Sequence, residues 1–116
     1  MRRDWISTLA AMVCAASVAL AAYASHAALP GQAPRLGLAA AVAFGHGLAL
    51  ILIAGRRSRT AGVSRLLLLL GVAGFSGGLC FAAFMGVRAV TAPLGGSLLI
   101  LGWLVLAADL WRSPRG

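Results

Sequence analysis

Four apolar stretches follow one another along the chain, each bounded by arginine, proline or both, at about 5–29, 36–54, 66–87 and 94–111. At about 1.5 Å of rise per helical residue the shortest covers about 27 Å, close to the roughly 30 Å hydrocarbon core of a bilayer. Alternating apolar and polar positions, which membrane barrels require, are absent. The pattern predicts an all-α, four-helix transmembrane bundle that forms a single domain over residues 1–116.

Composition supports a membrane protein over a soluble one. Hydrophobic residues make up 61% of the chain and charged residues 10%, whereas soluble domains average about 25% charged. The net charge of +8 would suit nucleic-acid phosphates. Proteins that bind them carry their charge on a folded polar surface, which this chain lacks, so we expect the lipid bilayer and no nucleic acid as partner.

The arginines divide unequally between the two sides of such a bundle. With four spans, both termini and the second loop share a side, and short loops rich in arginine stay in the cytoplasm. The other side has Arg35 and Arg88. We therefore predict cytoplasmic termini in a bacterial inner membrane. The cytoplasmic set comprises Arg2, Arg3, Arg56, Arg57, Arg59, Arg65, Arg112 and Arg115.

The first stretch also resembles a secretory signal, with Met1-Arg2-Arg3 followed by an alanine-rich run and "YASHA". Asp4 is unusual in the basic region of a signal but is a good N-cap for a retained helix. The apolar run also exceeds the roughly 7 to 15 residues of a signal core. We interpret it as a retained first helix.

Small residues recur at steps of four within the predicted helices. Lipid is as apolar as a helix surface, so membrane helices associate through close packing at such positions. Glycine is also frequent in membrane helices without any ligand role. We expect the third helix at the centre of the bundle. The stripes are Ala11, Ala15 and Ala19; Gly37, Ala41 and Gly45; and Gly74, Gly78, Ala82 and Gly86, with Gly95, Gly96 and Gly102 as packing positions on the fourth helix.

Two segments, "GFSGGLCF" at 74–81 and "APLGGSLLILGWLVLA" at 92–107, resemble the paired signatures of the YgdD-like family of small bacterial inner-membrane proteins. "AAYASH" at 21–26 is similar to the motif that ends the family's first helix, with its glycines replaced. "FGHGLAL" at 44–50 has His46 in the place of the family's histidine. Ala92 departs from the pattern, because the family has threonine directly before the proline. The resemblance implies a four-span inner-membrane protein and no established activity.

Histidine supplies the main candidate chemistry. His46 lies about 16 Å along its helix from Arg35, near the midplane, and His26 lies near the outer end of the first helix. The two differ by roughly 10 Å in depth, whereas imidazoles that share a metal must come within about 2 Å of it. We therefore expect no metal and no cofactor. His46 is either a proton-accepting group in a polar pocket or a neutral imidazole hydrogen-bonded to a serine, threonine or carbonyl of the third or fourth helix. We favour the second.

Acids are absent from the middle of the predicted spans, which argues against a proton-coupled exporter. Asp109 is predicted to form a cytoplasmic ion pair with Arg112 or with the loop at 56–59. Cys14 and Cys80 lie within spans as small apolar residues. No nucleophile with a base can be assembled, so we expect a non-enzyme.

Three classes of function stay open. The favoured one is a structural or accessory protein that acts through helix contacts with itself or with another membrane protein. A transporter or channel for a small or lipophilic solute would need a polar cavity. A redox helper that binds haem or quinone would need the two histidines at one level. The candidate polar residues are His46, His26, Ser76 and Ser97.

Overall fold

The computed structural model describes residues 3–112, which form four helices and no strand. The helices are α1 (Trp5–His26), α2 (Ala33–Leu52), α3 (Arg59–Met85) and α4 (Ala92–Arg112). All four are long and apolar enough to cross a membrane. The prediction of an all-α, four-helix transmembrane bundle is confirmed. Arg2 and Arg115, which the charge argument also used, lie outside the described residues.

α2 and α3 begin several residues before the apolar stretches that predicted them, because residues suited to a helix N-terminus precede those stretches. α3 begins at Arg59 rather than near residue 66, because the hydroxyl of Ser58 accepts a hydrogen bond from the Ala61 N–H at 3.0 Å and caps the first turn. α2 begins at Ala33, and Pro34 occupies its first turn, where the missing N–H costs nothing. Polar and charged residues at helix starts therefore belong to the helices and not to the loops.

Helices adjacent in the chain pack against each other, and the most extensive contact joins α3 to α4. α2 and α3 also pack against each other, so these two are the inner helices and α1 and α4 lie outside them. In the most apolar window of each helix, 39% of α3 is buried but only 11% of α1. α1 is therefore the least buried of the four helices.

The two ends of the bundle carry different numbers of arginines. Contacts between residues 4 and 65, and between residues 60 and 112, bring the start of α1, the start of α3 and the end of α4 to one end. We call this the arginine-rich end. The opposite end contains Arg35 and Arg88, and Arg35 donates to the Val87 carbonyl across it at 2.8 Å. Described arginines at the first end are Arg3, Arg56, Arg57, Arg59, Arg65 and Arg112.

Glycine permits the close approach of α3 to α4. A Cβ on Gly95 would lie 2.6 Å from the carbonyl carbon of Gly74, and one on Gly71 would lie 2.9 Å from the backbone nitrogen of Leu99. Backbone atoms cannot give way to a side chain at such distances, so the two helices touch only because these positions lack one. The glycines at this contact are Gly71, Gly74 and Gly78 on α3, and Gly95 and Gly102 on α4.

Two of the expected packing glycines lie elsewhere. Gly86 ends α3 with a φ of 68°, the left-handed conformation that glycine adopts without cost, and a Cβ there would meet nothing within 4 Å. Gly86 is therefore a helix C-cap, and its assignment to helix packing was wrong. It continues the four-residue spacing of Gly78 and Ala82, but α3 ends one residue before it. A Cβ on Gly96 would meet only the Phe75 ring, at an ordinary 3.5 Å. Ala82 is fully buried.

The small-residue stripes of α1 and α2 face outward. Gly45 and Gly37 would each accept a Cβ with nothing within 4 Å. The contact between these helices instead uses Gly47, where a Cβ would lie 2.9 Å from the Ala10 carbonyl oxygen. The exposed stripe positions are Ala11, Ala15, Ala19, Ala41 and Gly45.

Candidate functional site

His46 is half-buried on α2 and forms a hydrogen-bonded pair with Trp103 of α4. The indole nitrogen of Trp103 lies 2.9 Å from His46 Nε2, and His46 Nδ1 lies 2.7 Å from the carbonyl oxygen of Val42, one turn earlier. An indole N–H only donates and a carbonyl only accepts. The two partners therefore assign the neutral tautomer, in which Nδ1 donates its proton to the Val42 carbonyl and the Nε2 lone pair accepts from the indole.

This pair links two helices that otherwise meet through α3. The rings of His46 and Trp103 lie edge to face, with centroids 5.7 Å apart and planes at 67°. In hydrocarbon an unpaired indole N–H is costly, because no water can satisfy it. Both imidazole nitrogens are engaged. The partner is an indole rather than the expected serine, threonine or carbonyl of a neighbouring helix.

Hydroxyl groups connect α3 to both of its neighbours. Ser76 donates to the Ala39 carbonyl of α2 at 2.9 Å, and Ser64 donates to the Gly102 carbonyl of α4 at 2.8 Å. Both serines are buried. Hydrogen bonds of this kind between membrane helices are worth about 0.6 kcal/mol each, and up to about 2.

Thr91, just before α4, makes a further connection. Its hydroxyl donates to the Gly74 carbonyl at 2.9 Å. Neither Thr91 nor Ser64 was singled out from the sequence. A signal for Ser64 exists, because Ser64, Gly71 and Gly78 recur every seven residues and so share one face of α3.

The other candidate polar residues lie apart from His46. Ser97 donates to the Pro93 carbonyl of its own helix at 2.9 Å and is not buried. His26 is the exposed last residue of α1. Ser76 lines a cavity of about 240 Å³ between α1, α2 and α3, which neither His46 nor Ser97 lines. The four candidates therefore do not form one site.

Asp109 is the centre of a buried polar cluster at the arginine-rich end. It is 3% exposed, and its carboxylate accepts hydrogen bonds from Arg56 Nε at 2.7 Å and from the hydroxyl of Ser58. Ser58 is also the N-cap of α3. The carboxylate thus lies beside the positive end of the α3 dipole, which favours an anion.

Of the two partners predicted for Asp109, Arg112 and the loop at 56–59, the loop supplies the ion pair, through Arg56. Arg112 instead donates to the hydroxyl of Thr60, at 2.7 Å, in the first turn of α3. The reason is the early start of α3. The first turn of α3 and the preceding loop reach the end of α4. Arg56 and Ser58 there bind the two carboxylate oxygens of Asp109.

Asp4 caps α1 and links it to α3. Its carboxylate accepts from the hydroxyl of Ser7 at 2.6 Å and from the Ser7 N–H at 3.1 Å, and Arg65 lies 3.1 Å away. These bonds, those from Ser7 foremost, lower the pKa of Asp4 from 3.8 to about 2. The side chains of both acidic residues are therefore engaged at the same end of the molecule.

Cysteine and histidine do not combine into a ligand set. Within residues 3–112, no group of three His, Cys, Asp or Glu side chains is placed to hold a metal ion. Cys14 and Cys80 are free thiols within spans. Cys14 lies 3.7 Å from the Phe44 carbonyl of α2. The described polar groups of the spans chiefly join one helix to another or to its own backbone.

These features define a small integral membrane protein with four candidate spans. Over 66 residues the chain is 46% identical to UPF0382 membrane proteins from two strains of Staphylococcus epidermidis, covering 53% of this chain and 54% of each relative. The match thus spans about half the length of these curated relatives. Their name specifies a membrane protein and no activity, and it does not confirm the YgdD-like name. No family model matches the chain, and no solved structure matches it.

Proposed function

We propose that this protein is a structural or accessory protein of the bacterial inner membrane, which acts through helix contacts with another membrane protein or with a second copy. The observation that carries the proposal is the use made of polar side chains on the helices. Ser64, Ser76 and the His46–Trp103 pair each join two helices of the chain itself. Groups engaged in this way hold a scaffold together and are not free for a passing solute.

Transport is the weaker alternative. A solute path would need His46, Ser76 and Ser97 along one cavity, but the cavity that Ser76 lines contains neither of the others. A redox role would need both histidines at one ligand, and both His46 nitrogens already have partners. Each role would require these hydrogen bonds to break first.

The surface of α1 supports an accessory role. Only a small share of this helix is buried, and its small-residue face at 11, 15 and 19 points away from the other helices. In lipid, small residues on an exposed face allow another helix to approach closely. α1 is therefore the helix on which we expect a partner.

The orientation is part of the proposal. The arginine-rich end faces the cytoplasm, because positively charged short loops are retained there. Single cysteines introduced at positions 33 and 116 test it. An impermeant thiol reagent added to intact cells should label position 33, and labelling of position 116 alone would reverse the orientation.

Site-specific photo-crosslinking tests the accessory role. A benzophenone side chain at Ala15, on the outward face of α1, should give a discrete protein adduct in native membranes. The matched control is Ile100, an exposed position on α4 at 64%, which should give only lipid adducts. Equal adducts at both positions, or none at Ala15, would contradict the proposal. Solute flux in liposomes, abolished by Ser76→Ala, would establish transport instead.

A further inference from the structure

The end of the bundle opposite the arginine-rich end has positive charge without a carboxylate. The chain has only two acidic residues, Asp4 and Asp109, and both bind arginines at the other end. Arg35 donates to the Val87 carbonyl. Among residues 3–112, Arg88 takes part in no hydrogen bond and no ion pair. Any anion that pairs with this guanidinium therefore comes from outside residues 3–112.

Arg88 lies at the rim of an apolar groove of about 620 Å³. α3 forms its floor with Gly74, Gly77 and Gly78, and Phe81 and the loop before α4 form its walls. A Cβ on Gly77 would meet nothing within 4 Å. The floor is thus open at Gly77, whereas its neighbours are covered by the start of α4. We call this surface the Arg88 groove.

We propose that the Arg88 groove binds an anionic phospholipid, with the phosphate on Arg88 and one acyl chain along the glycine floor. A guanidinium binds phosphate through two parallel hydrogen bonds. The volume falls within the roughly 300–1,000 Å³ of ligand sites. The inference is independent of the accessory role proposed above.

The different depths of Arg88 and Gly77 in the bilayer favour a lipid over a soluble phosphate as the ligand. Gly77 lies eight residues before the end of α3 at Met85, about 12 Å further into the bilayer. A ligand that contacts both Arg88 and Gly77 needs a charged group at the interface and hydrocarbon below it. Only a lipid presents both at these two levels.

Native mass spectrometry of the full chain tests the proposal. The protein is released from nanodiscs that contain equal amounts of phosphatidylglycerol and phosphatidylcholine with identical acyl chains. The wild type should retain one phosphatidylglycerol. Arg88→Gln should weaken retention at least roughly tenfold, because it removes charge-assisted hydrogen bonds to the phosphate, and Gly77→Leu should abolish it by filling the floor.

Two controls match these variants. Arg57→Gln removes an exposed arginine at the opposite end, and Gly45→Leu fills an equally open glycine position on α2. Both should retain the lipid as the wild type does. Should Gly77→Leu fail to fold, Ala73→Leu fills the same groove from one turn earlier.

Several results would overturn the proposal. Equal retention of both lipids, or unchanged retention in Arg88→Gln, would mean ordinary annular lipid. Displacement of phosphatidylglycerol by millimolar inorganic phosphate would assign the charge site to a soluble anion. A wild-type dimer that Gly77→Leu converts to monomer would assign the groove to a second copy of the chain.

Discussion

The contact between α3 and α4 is built differently from the contact between α1 and α2. Glycines on both helices bring the backbones of α3 and α4 together, and hydroxyls at Ser64 and Thr91 bond across the gap. Between α1 and α2, close approach depends on Gly47, and the cross-helix polar contact is the long Cys14 thiol to Phe44 carbonyl distance of 3.7 Å.

This difference shows what holds helices together in lipid. Burial of apolar surface contributes little there, because lipid is equally apolar, so close packing and hydrogen bonds must supply the association free energy. α3 and α4 have both, whereas α1 packs closely on α2 at Gly47 but without a short hydrogen bond across the contact. We therefore expect the α3–α4 contact to be the stronger of these two.

The largest expected effect comes from breaking the stronger contact. Gly95→Leu would place side-chain atoms where the Gly74 backbone lies, and overpacking against backbone costs about 3 kcal/mol or more. The free energy of unfolding in detergent should fall by that amount. Gly45→Leu is the matched control, because its Cβ meets nothing, and it should change stability by less than about 0.5 kcal/mol. Equal stability of the two variants would refute the proposed α3–α4 contact.

The next effect concerns the cluster that joins the start of α3 to the end of α4. Asp109→Ala leaves Arg56 and Ser58 without their carboxylate, and loss of such charged hydrogen bonds should cost about 2 kcal/mol of unfolding free energy. Arg56 is partly solvated, with 28% of its side chain exposed, which limits the loss. A double-mutant cycle with Arg56→Gln should show coupling. Additive losses would mean that the pair contributes nothing of its own.

A smaller effect is expected at the weaker contact. Gly47→Leu would place a Cβ 2.9 Å from the Ala10 carbonyl oxygen and should cost about 1–2 kcal/mol. The loss should appear as separation of α1 from α2, while α3 and α4 stay packed. Cysteine crosslinking between α1 and α2, compared with crosslinking between α3 and α4, measures this. Equal loss of both crosslinks would contradict the division into a strong and a weak contact.

The His46–Trp103 hydrogen bond is expected to be weaker still. Trp103→Phe keeps an aromatic ring but removes the donor, and it should cost about 0.6 kcal/mol. His46→Leu should cost about the same, and the double variant should lose no more than either single one. If His46→Leu costs far more than Trp103→Phe, the imidazole has a partner beyond the indole.

Protonation of Asp4 gives the smallest and most local signal. Because its pKa in the folded protein is lowered to about 2 from 3.8, its contribution to stability is fully present above pH 4 and is lost as the pH falls through about 2. An NMR titration of the carboxyl carbon should show the low midpoint. Ser7→Ala, which removes the strongest cause, should move the midpoint toward 3.8. An unchanged midpoint would show that Ser7 does not control this group.

Hydropathy and arginine positions predicted the four helices, because those properties depend on residue type alone. The contacts between helices depend also on how each helix is rotated, which steps of four do not determine. Gly71 and Gly47 therefore escaped notice, and the stripes of α1 and α2 proved to face outward. The partner of His46 was missed for the same reason, since Trp103 lies 57 residues further along the chain. Side-chain pairing across α2 and α4 has no local sequence signal.

The early start of α3 has a consequence for membrane insertion. The helix has 27 residues, about 40 Å, while its apolar part, residues 66–85, is about 30 Å long, close to the thickness of the hydrocarbon core. The first two turns then project about 10 Å into the headgroup layer. Because Ser58 contacts Asp109, this acid lies at the same level, where it avoids the roughly 2.5–3.5 kcal/mol insertion cost of an aspartate at the helix centre. The fourth helix can thus carry a carboxylate and still enter the membrane as an apolar segment.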